Sequence, residues 1–237
     1  MGNNNVGVNP YVSVDCVLLG FDGKQLNVLL VKQCKCGGLE STDLYKLPGS
    51  LIGIDEELDD AAYRVLKQLT GLVKVDMMQF RTFGSVDRLS NSSDKIWLTR
   101  FYNLDNDFER IITIGYLSLI RIDRQFEKLN SDYLACWMPL SVLPKLAFDH
   151  NEIVSEALEF VRKLVLVNPV KYFELLPRKF TIAQFHSVYM ALSGKDIDIR
   201  NFHKKIQMLK YVVPLDEKEV GVSHRAARYY KFDRKRV

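Results

Sequence analysis

The stretch LPGSLIGIDEELDDAAYRVLKQLTGL, residues 47 to 72, gathers Asp55, Glu56, Glu57, Asp59 and Asp60 immediately ahead of an apolar run. Acids at the start of a helix favour the positive end of its dipole, and the segment begins like the signature of a metal-dependent hydrolase. It finishes as an ordinary buried helix. Leu58, Ala61, Ala62, Val65, Leu66 and Leu69 recur at three- and four-residue steps and form one apolar stripe. Asp55 is expected to cap this helix, the acids after it to favour the positive end of its dipole, and Gly71 to stop it.

A second set of side chains suits a different chemistry. Between Asp198 and Leu209, Ile199, Phe202, Ile206 and Leu209 share one helical side and leave Arg200, Asn201, His203, Lys204 and Gln207 on the other. Arg and Asn make paired hydrogen bonds to guanine and adenine edges, and cations around them meet phosphates. Arg200 and Asn201 are the expected base readers. Lys204, Lys205, His224, Arg225 and Arg228 are the expected phosphate-side contacts.

These groups need elements to position them. YVSVDCVLLG (11 to 20) and LNVLLVKQ (26 to 33) read as a hairpin, followed by the helix at 55 to 70 and strands at 75 to 84 and 110 to 122. The Asn- and Ser-rich segment around SNSSD separates the last two as a polar connection. Strands around a helix imply a mixed α/β sheet. Asp149 and Glu152 form a capping box for a helix running to about Val165, and two prolines then mark a boundary, giving domains 1–168 and 169–237. In the second domain, Thr181 and Gln184 cap a helix carrying Ile182, Phe185, Val188, Tyr189 and Leu192 inward. The short turn KDID leads to the polar-faced helix, and YVVPL (211 to 215) pairs with RYYKF (228 to 232) across a loop carrying Lys218, His224 and Arg225. That order is a winged helix-turn-helix.

The bulk properties agree with two small packed domains. The chain has 237 residues, 47% of them hydrophobic, which is enough for real cores. The N-terminus lacks the order of a signal peptide and no apolar run is long enough to span a bilayer, so a cytoplasmic protein without membrane partners is expected. Cys16, Cys34, Cys36 and Cys136 are too few and scattered for a disulfide framework and are expected as free thiols, with no zinc-site spacing among them. Residues 171 to 237 hold nine Lys, six Arg and seven Asp or Glu, hence +8; the whole chain is +4, so residues 1 to 170 carry −4. An acidic body with a basic appendage fits a nucleic-acid reader with a separate sensor.

Glu56, Arg64, Gly71 and Leu72 stand at the spacings of the Nudix box, the loop-helix-loop whose glutamates bind magnesium for diphosphate cleavage. Counted back from Gly71, the box has glycine where Ser50 stands, glutamate at Val65, and a glutamate pair at Gln68 and Leu69. Val65 and Leu69, one turn apart, would present methyl groups to the ion, and Glu56 alone cannot hold it. A box without its acids, joined to a basic winged helix, resembles the Nudix-related transcriptional regulators. TFGSVDR (82 to 88), GYLSLI (115 to 120), LAFDHNEI (146 to 153), LLPRKFT (175 to 181) and RNFHKKI (200 to 206) carry the similarity over nearly the full length.

The resemblance implies a Nudix-type α/β/α sandwich followed by a C-terminal winged helix-turn-helix domain. It implies a homodimer on double-stranded operator DNA with an inverted repeat, no enzymatic activity, and neither metal nor cofactor. The wording is nearest to the arabinose-responsive branch, which implies a repressor of sugar utilisation that a pentose such as L-arabinose releases from DNA. Lys46, Arg81, Asp87 and Arg88 are the candidate effector contacts beside the old hydrolase cleft. After Arg88, LSNSSDKIWLTRFYNLDNDFER replaces the short Arg- and Pro-containing loop of the nucleotide-sensing members. The alternatives are a residual Nudix phosphohydrolase, or a regulator of NAD metabolism that senses ADP-ribose or a related nucleotide.

Overall fold

The computed structural model describes residues 7–32, 44–102, 104, 110–123, 129, 133–223 and 225–237. Among them the chain forms two compact units. The first comprises the described parts of Met1–Leu19, Asn27–Ser118 and Arg124–Ala157, and the second Gly20–Leu26, Leu119–Asp123 and Leu158–Val237. The units part inside a helix, after Ala157, whereas the boundary expected from the two prolines lies at 168, one residue beyond that helix.

The larger sheet, most of whose residues belong to the first unit, is built on strands β1 (Val8–Phe21), β2 (Leu26–Lys32), β3 (Tyr45–Lys46), β4 (Gly49–Gly53), β5 (Met78–Phe83), β6 (Ile112–Arg121) and β7 (Cys136–Pro139). Their order is β3-β2-β1-β6-β5, with β4 also on β1 and β7 also on β2. Strand β1 carries a continuous buried run from Ser13 to Phe21, as expected of a central strand covered on both faces. Helix α1 (Leu58–Thr70) buries Ala61, Ala62, Val65 and Leu66. Its start differs from expectation. Glu57 is the N-cap, without a side-chain cap bond, and Asp55 stays in the preceding turn. Gly71 ends α1 in the left-handed region at φ 78°, as its missing Cβ allows.

The polar connection expected around SNSSD is instead helix α2 (Ser92–Tyr102). Polar residues open it, but Trp97 and Leu98 bury against Leu51 and Ile111, so tertiary packing overrides weak local propensity. Asp94, 2% exposed, ties α2 down by accepting the Phe148 N–H at 3.1 Å, just ahead of helix α3 (His150–Val167). Phe148 sits in the left-handed region at φ 55°.

The second unit contains the short strand β8 (Phe180–Thr181), helices α4 (Ile182–Ser193) and α5 (Ile199–Gln207), and strands β9 (Val212–Lys218) and β10 (Arg228–Phe232), in a sheet ordered β8-β10-β9. Thr181 and Gln184 make the expected reciprocal cap of α4, and the Asp198 carboxylate accepts the N–H groups of Arg200 and Asn201 to cap α5. Phe173, Phe180, Phe185 and Phe202 form a ring-packed core, with Phe173 stacked on Phe232 at 4.3 Å. Ile199, expected inward, is 42% exposed. No helix among the described residues is long and apolar enough to cross a membrane.

Candidate functional site

Asp15 is a lone carboxylate in the apolar strand β1, paired in register with Gly49 of β4. A Cβ at position 49 would fall 1.9 Å from Asp15 Oδ1, so only glycine lets the two strands meet around this side chain. Buried charge survives only with partners. Thr113 Oγ1 donates to Asp15 Oδ2 at 2.8 Å, Arg88 Nη2 lies 3.7 Å from the same oxygen, and His150 Nε2 lies 3.5 Å from Oδ1. Burial pushes the Asp15 pKa up, but His150, the Arg88 charge, the Thr113 hydroxyl and Lys46 together hold it below the ordinary value.

His150 is the neutral member. Burial drives its pKa down to about 4, against the pull of Asp15 and with further lowering by Lys46 and Arg88. Its Nδ1 accepts the Leu47 N–H at 2.9 Å, which requires an unprotonated Nδ1 and leaves the single proton on Nε2, toward Asp15. Because that hydrogen bond keeps the imidazole neutral, Arg88 and Lys46 supply the positive charge beside Asp15, and His150 turns its Nε2–H toward the carboxylate. Asp149 completes the group, with Oδ1 3.1 Å from Arg88 Nη2 at an angle that makes no hydrogen bond. Burial, partly offset by Arg88 and reinforced by Asp15, lifts its pKa to about 6.

Above this network lies a chamber of about 40 Å³ walled by Asp15, Lys46, Arg88, Trp97, Tyr102 and His150 among others. It shares Lys46, Gly49, Ser50, Leu51, Trp97 and Tyr102 with a cleft of about 460 Å³, a size suited to a small-molecule ligand. Val65, Gln68 and Leu69 line that cleft beside Lys32, Arg64, Phe101 and Tyr133. Lys46 Nζ donates to the Gly49 carbonyl at 2.8 Å and sits 5.5 Å from the Trp97 ring centroid. The Tyr102 hydroxyl meets Ser50 Oγ at 2.8 Å, and burial raises its pKa.

The retained box residues have structural partners. Arg64 Nε and Nη2 donate to Glu56 Oε1 and Oε2 at 2.6 and 2.7 Å, Nη2 also reaches the Leu51 carbonyl, and Glu56 Oε2 accepts the Gly53 N–H at 2.9 Å. These bonds hold the Glu56 pKa below its ordinary value, the Arg64 hydrogen bonds contributing most. A magnesium ion does not fit this set. Glu56 is already spent on Arg64 and Gly53, and positions 65, 68 and 69 offer two hydrocarbon side chains and one neutral amide. Among the described residues no group of three or more His, Cys, Asp or Glu is placed to hold a metal.

Of the four effector candidates, Lys46 and Arg88 line the chamber. Arg81 pairs with Glu156 and stacks over the Phe83 ring, and Asp87 is exposed on a 3₁₀ turn; neither is among the residues lining the chamber or the cleft. Sequence reasoning passed over Asp15, Trp97, Phe101, Tyr102 and His150. An acid inside YVSVDCVLLG was a usable signal, since an unpaired carboxylate does not persist in a buried strand. The aromatics of α2 gave none while that segment read as a loop.

The second candidate site is α5 and the β9–β10 wing. Arg200, Asn201 and Lys204 are exposed on α5, and Arg225 is exposed in the wing loop. Lys205 lies 5.0 Å over the Tyr189 ring, and Arg228 is held by the Leu215 carbonyl and by Asp216 Oδ1, each at 2.7 Å. His224, Cys34 and Cys36 lie outside the described residues.

Comparison with known proteins places these two sites in context. Residues 172–232 match the family model described as the NrtR DNA-binding winged helix domain. The curated "ADPR responsive transcriptional repressor NtrR" of Acinetobacter baylyi is 23% identical over 232 residues, covering 94% of this chain and 82% of its own. The crystal structure of Shewanella oneidensis NrtR superposes with a TM-score of 0.66 at 25% identity, covering 95% of both chains. The same Shewanella protein complexed with a 27mer DNA gives a TM-score of 0.66 at 24% identity, covering 94% and 93%. The chain thus has the architecture of a Nudix-related regulator, a mixed α/β Nudix domain followed by a winged helix. The arabinose-responsive branch, the pentose effector and the role in carbohydrate use do not stand, because the relative matched along nearly the whole chain is named for ADPR. The physical reason is visible in the cleft. Replacing the loop after Arg88 did not strip it of cations, since Lys32, Lys46 and Arg64 line it from other elements.

Proposed function

We propose that the chain is a ligand-responsive DNA-binding repressor whose Nudix domain senses ADP-ribose or a closely related nucleoside diphosphate without hydrolysing it. The near full-length similarity to an ADPR-responsive repressor carries this reading. Two features of the molecule support it. The cleft combines cations and aromatic rings, the partners that diphosphates and bases require, with a helix face of Val65, Gln68 and Leu69 that cannot supply metal ligands. The winged helix offers Arg200 and Asn201 beside the start of a capped helix, where a major groove would receive them. The working form is a homodimer, with residues 1–168 as the sensor and 169–237 as the operator-binding domain.

A ligand shifts an equilibrium only by its differential affinity for the two states, so ADP-ribose must bind the DNA-free form more tightly. Operator titrations with and without saturating ADP-ribose test this. The expected result is weaker operator binding with ADP-ribose and no ADP-ribose consumed in the presence of magnesium. Equal operator affinity in both conditions rejects the sensor, and turnover abolished by EDTA makes the chain an enzyme.

A further inference from the structure

We infer that Trp97 and Phe101 form a stacking platform for the base of a nucleotide, a subsite supplied by α2. The inference rests on the nucleotide-effector reading above and adds which part of the ligand this helix recognises. The two rings lie parallel, with centroids 4.6 Å apart and planes 15° from one another, and both line the cleft of about 460 Å³. Their exposures differ in a telling way. Trp97 is 8% exposed and fixed by the Phe148 ring edge at 6.2 Å and the Lys46 ammonium at 5.5 Å. Phe101 is 41% exposed, although it belongs to the same stack.

A phenyl ring left open on the wall of a cleft presents apolar area and a π-face that a flat, weakly polar ring would cover, whereas a phosphate or a free cation-binding carboxylate would gain nothing there. The same cleft carries Lys32 and Lys46 for the anionic part of such a ligand, while Arg64 beside them is held by Glu56. Helix α2 is also held firmly enough to serve as a wall. Asp94 at its start accepts the Phe148 N–H, and Tyr102 at its end bonds Ser50 and the Leu51 N–H. A base stacked on Phe101 with its diphosphate toward Lys46 uses every one of these features at once.

Calorimetric titration of the full chain with ADP-ribose, ADP and ribose 5-phosphate tests the subsite. ADP and ADP-ribose should bind, and ribose 5-phosphate, which lacks a base, should bind at least about 5-fold more weakly. Phe101→Ala should weaken ADP and ADP-ribose by roughly 5- to 100-fold, the range lost when one base–aromatic stack is removed, and leave ribose 5-phosphate unchanged. Phe101→Tyr should restore nucleotide binding. Phe101→Ala also gives up packing on Trp97 and Tyr102 and so should melt somewhat below the parent, with unchanged ribose 5-phosphate binding showing that the cleft is still formed. The inference is overturned if Phe101→Ala binds ADP as the parent does, if it loses ribose 5-phosphate equally, or if ADP fails to bind the parent. The regulatory reading fails separately: Phe101-dependent nucleotide binding that leaves operator affinity unmoved sinks the sensor and keeps the platform.

Discussion

Glu56 and Arg64 meet in two parallel hydrogen bonds, 2.6 and 2.7 Å long, and their joint position fastens the turn after β4 to the second turn of α1. The spacing that suggested a hydrolase therefore marks a brace. Arg64→Ala should leave Glu56 half-buried with only Gly53, costing about 1–3 kcal/mol of stability, and Arg64→Lys should recover little because an ammonium cannot make the fork. Thermal melts decide it. The Glu56 pKa is depressed in the folded protein, so its contribution is full above the unfolded carboxylate value and is lost as pH falls through the lower folded one. The gap between parent and Arg64→Ala should accordingly close in acid.

Restoring the box acids should damage the fold rather than revive chemistry. Val65 is fully buried on α1, and Leu69 is half-buried in the cleft wall. A carboxylate at either place must be desolvated or protonated, so Val65→Glu should cost on the order of 2–4 kcal/mol and Leu69→Glu less. A double variant melting at or above the parent temperature would show this face to be open to water.

His150 and Asp149 make opposite contributions to acid stability. The His150 pKa is depressed to about 4, so between the unfolded value near 6.5 and 4 the unfolded chain binds the proton and stability falls with acidification. Asp149 is raised to about 6, so between 6 and its unfolded value the folded chain binds the proton and stability rises with acidification. The two largely offset from pH 6 to 4. Asp149→Asn should remove the compensation and steepen the loss of stability over that window, measured as denaturation midpoint against pH. An unchanged slope would mean that Asp149 titrates as an ordinary exposed acid.

Legibility of the sequence followed locality. The caps at Thr181 and Asp198, the helix ending at Gly71 and the wing strands are set by neighbours a few residues apart, and they stand in the structure where the sequence puts them. What was not legible depends on distant partners. Helix α1 has its N-cap at Glu57 rather than at Asp55, next to a Glu56 held by the distant Arg64, and α2 packs through Leu51 and Ile111, which bury Trp97 and Leu98. The candidate pocket was half visible for the same reason. Lys46 and Arg88 could be picked as charged residues near strand ends, but Asp15 and His150 meet only through a contact spanning most of the first unit's sequence.

Arg228 offers the sharpest test of the nucleic-acid interface, because its guanidinium is already paired with Asp216 and the Leu215 carbonyl on the neighbouring wing strand. A cation occupied in this way contributes less to phosphate binding than a free one, and Asp216, fully exposed, adds a negative charge near the approaching backbone. Arg228→Ala should thus weaken operator binding less than Lys204→Ala does, and Asp216→Ala should strengthen it. Each added phosphate contact releases counterions, so the Asp216→Ala protein should also show a salt dependence steeper by about 0.9 in slope. These effects should be equal on all sequences. Arg200→Ala and Asn201→Ala should instead cost roughly 1–3 kcal/mol and relax preference at one position each, because base contacts specify and phosphate contacts position. If Asp216→Ala leaves affinity and salt slope unchanged while Arg228→Ala abolishes sequence preference, the wing rather than α5 lies in the groove.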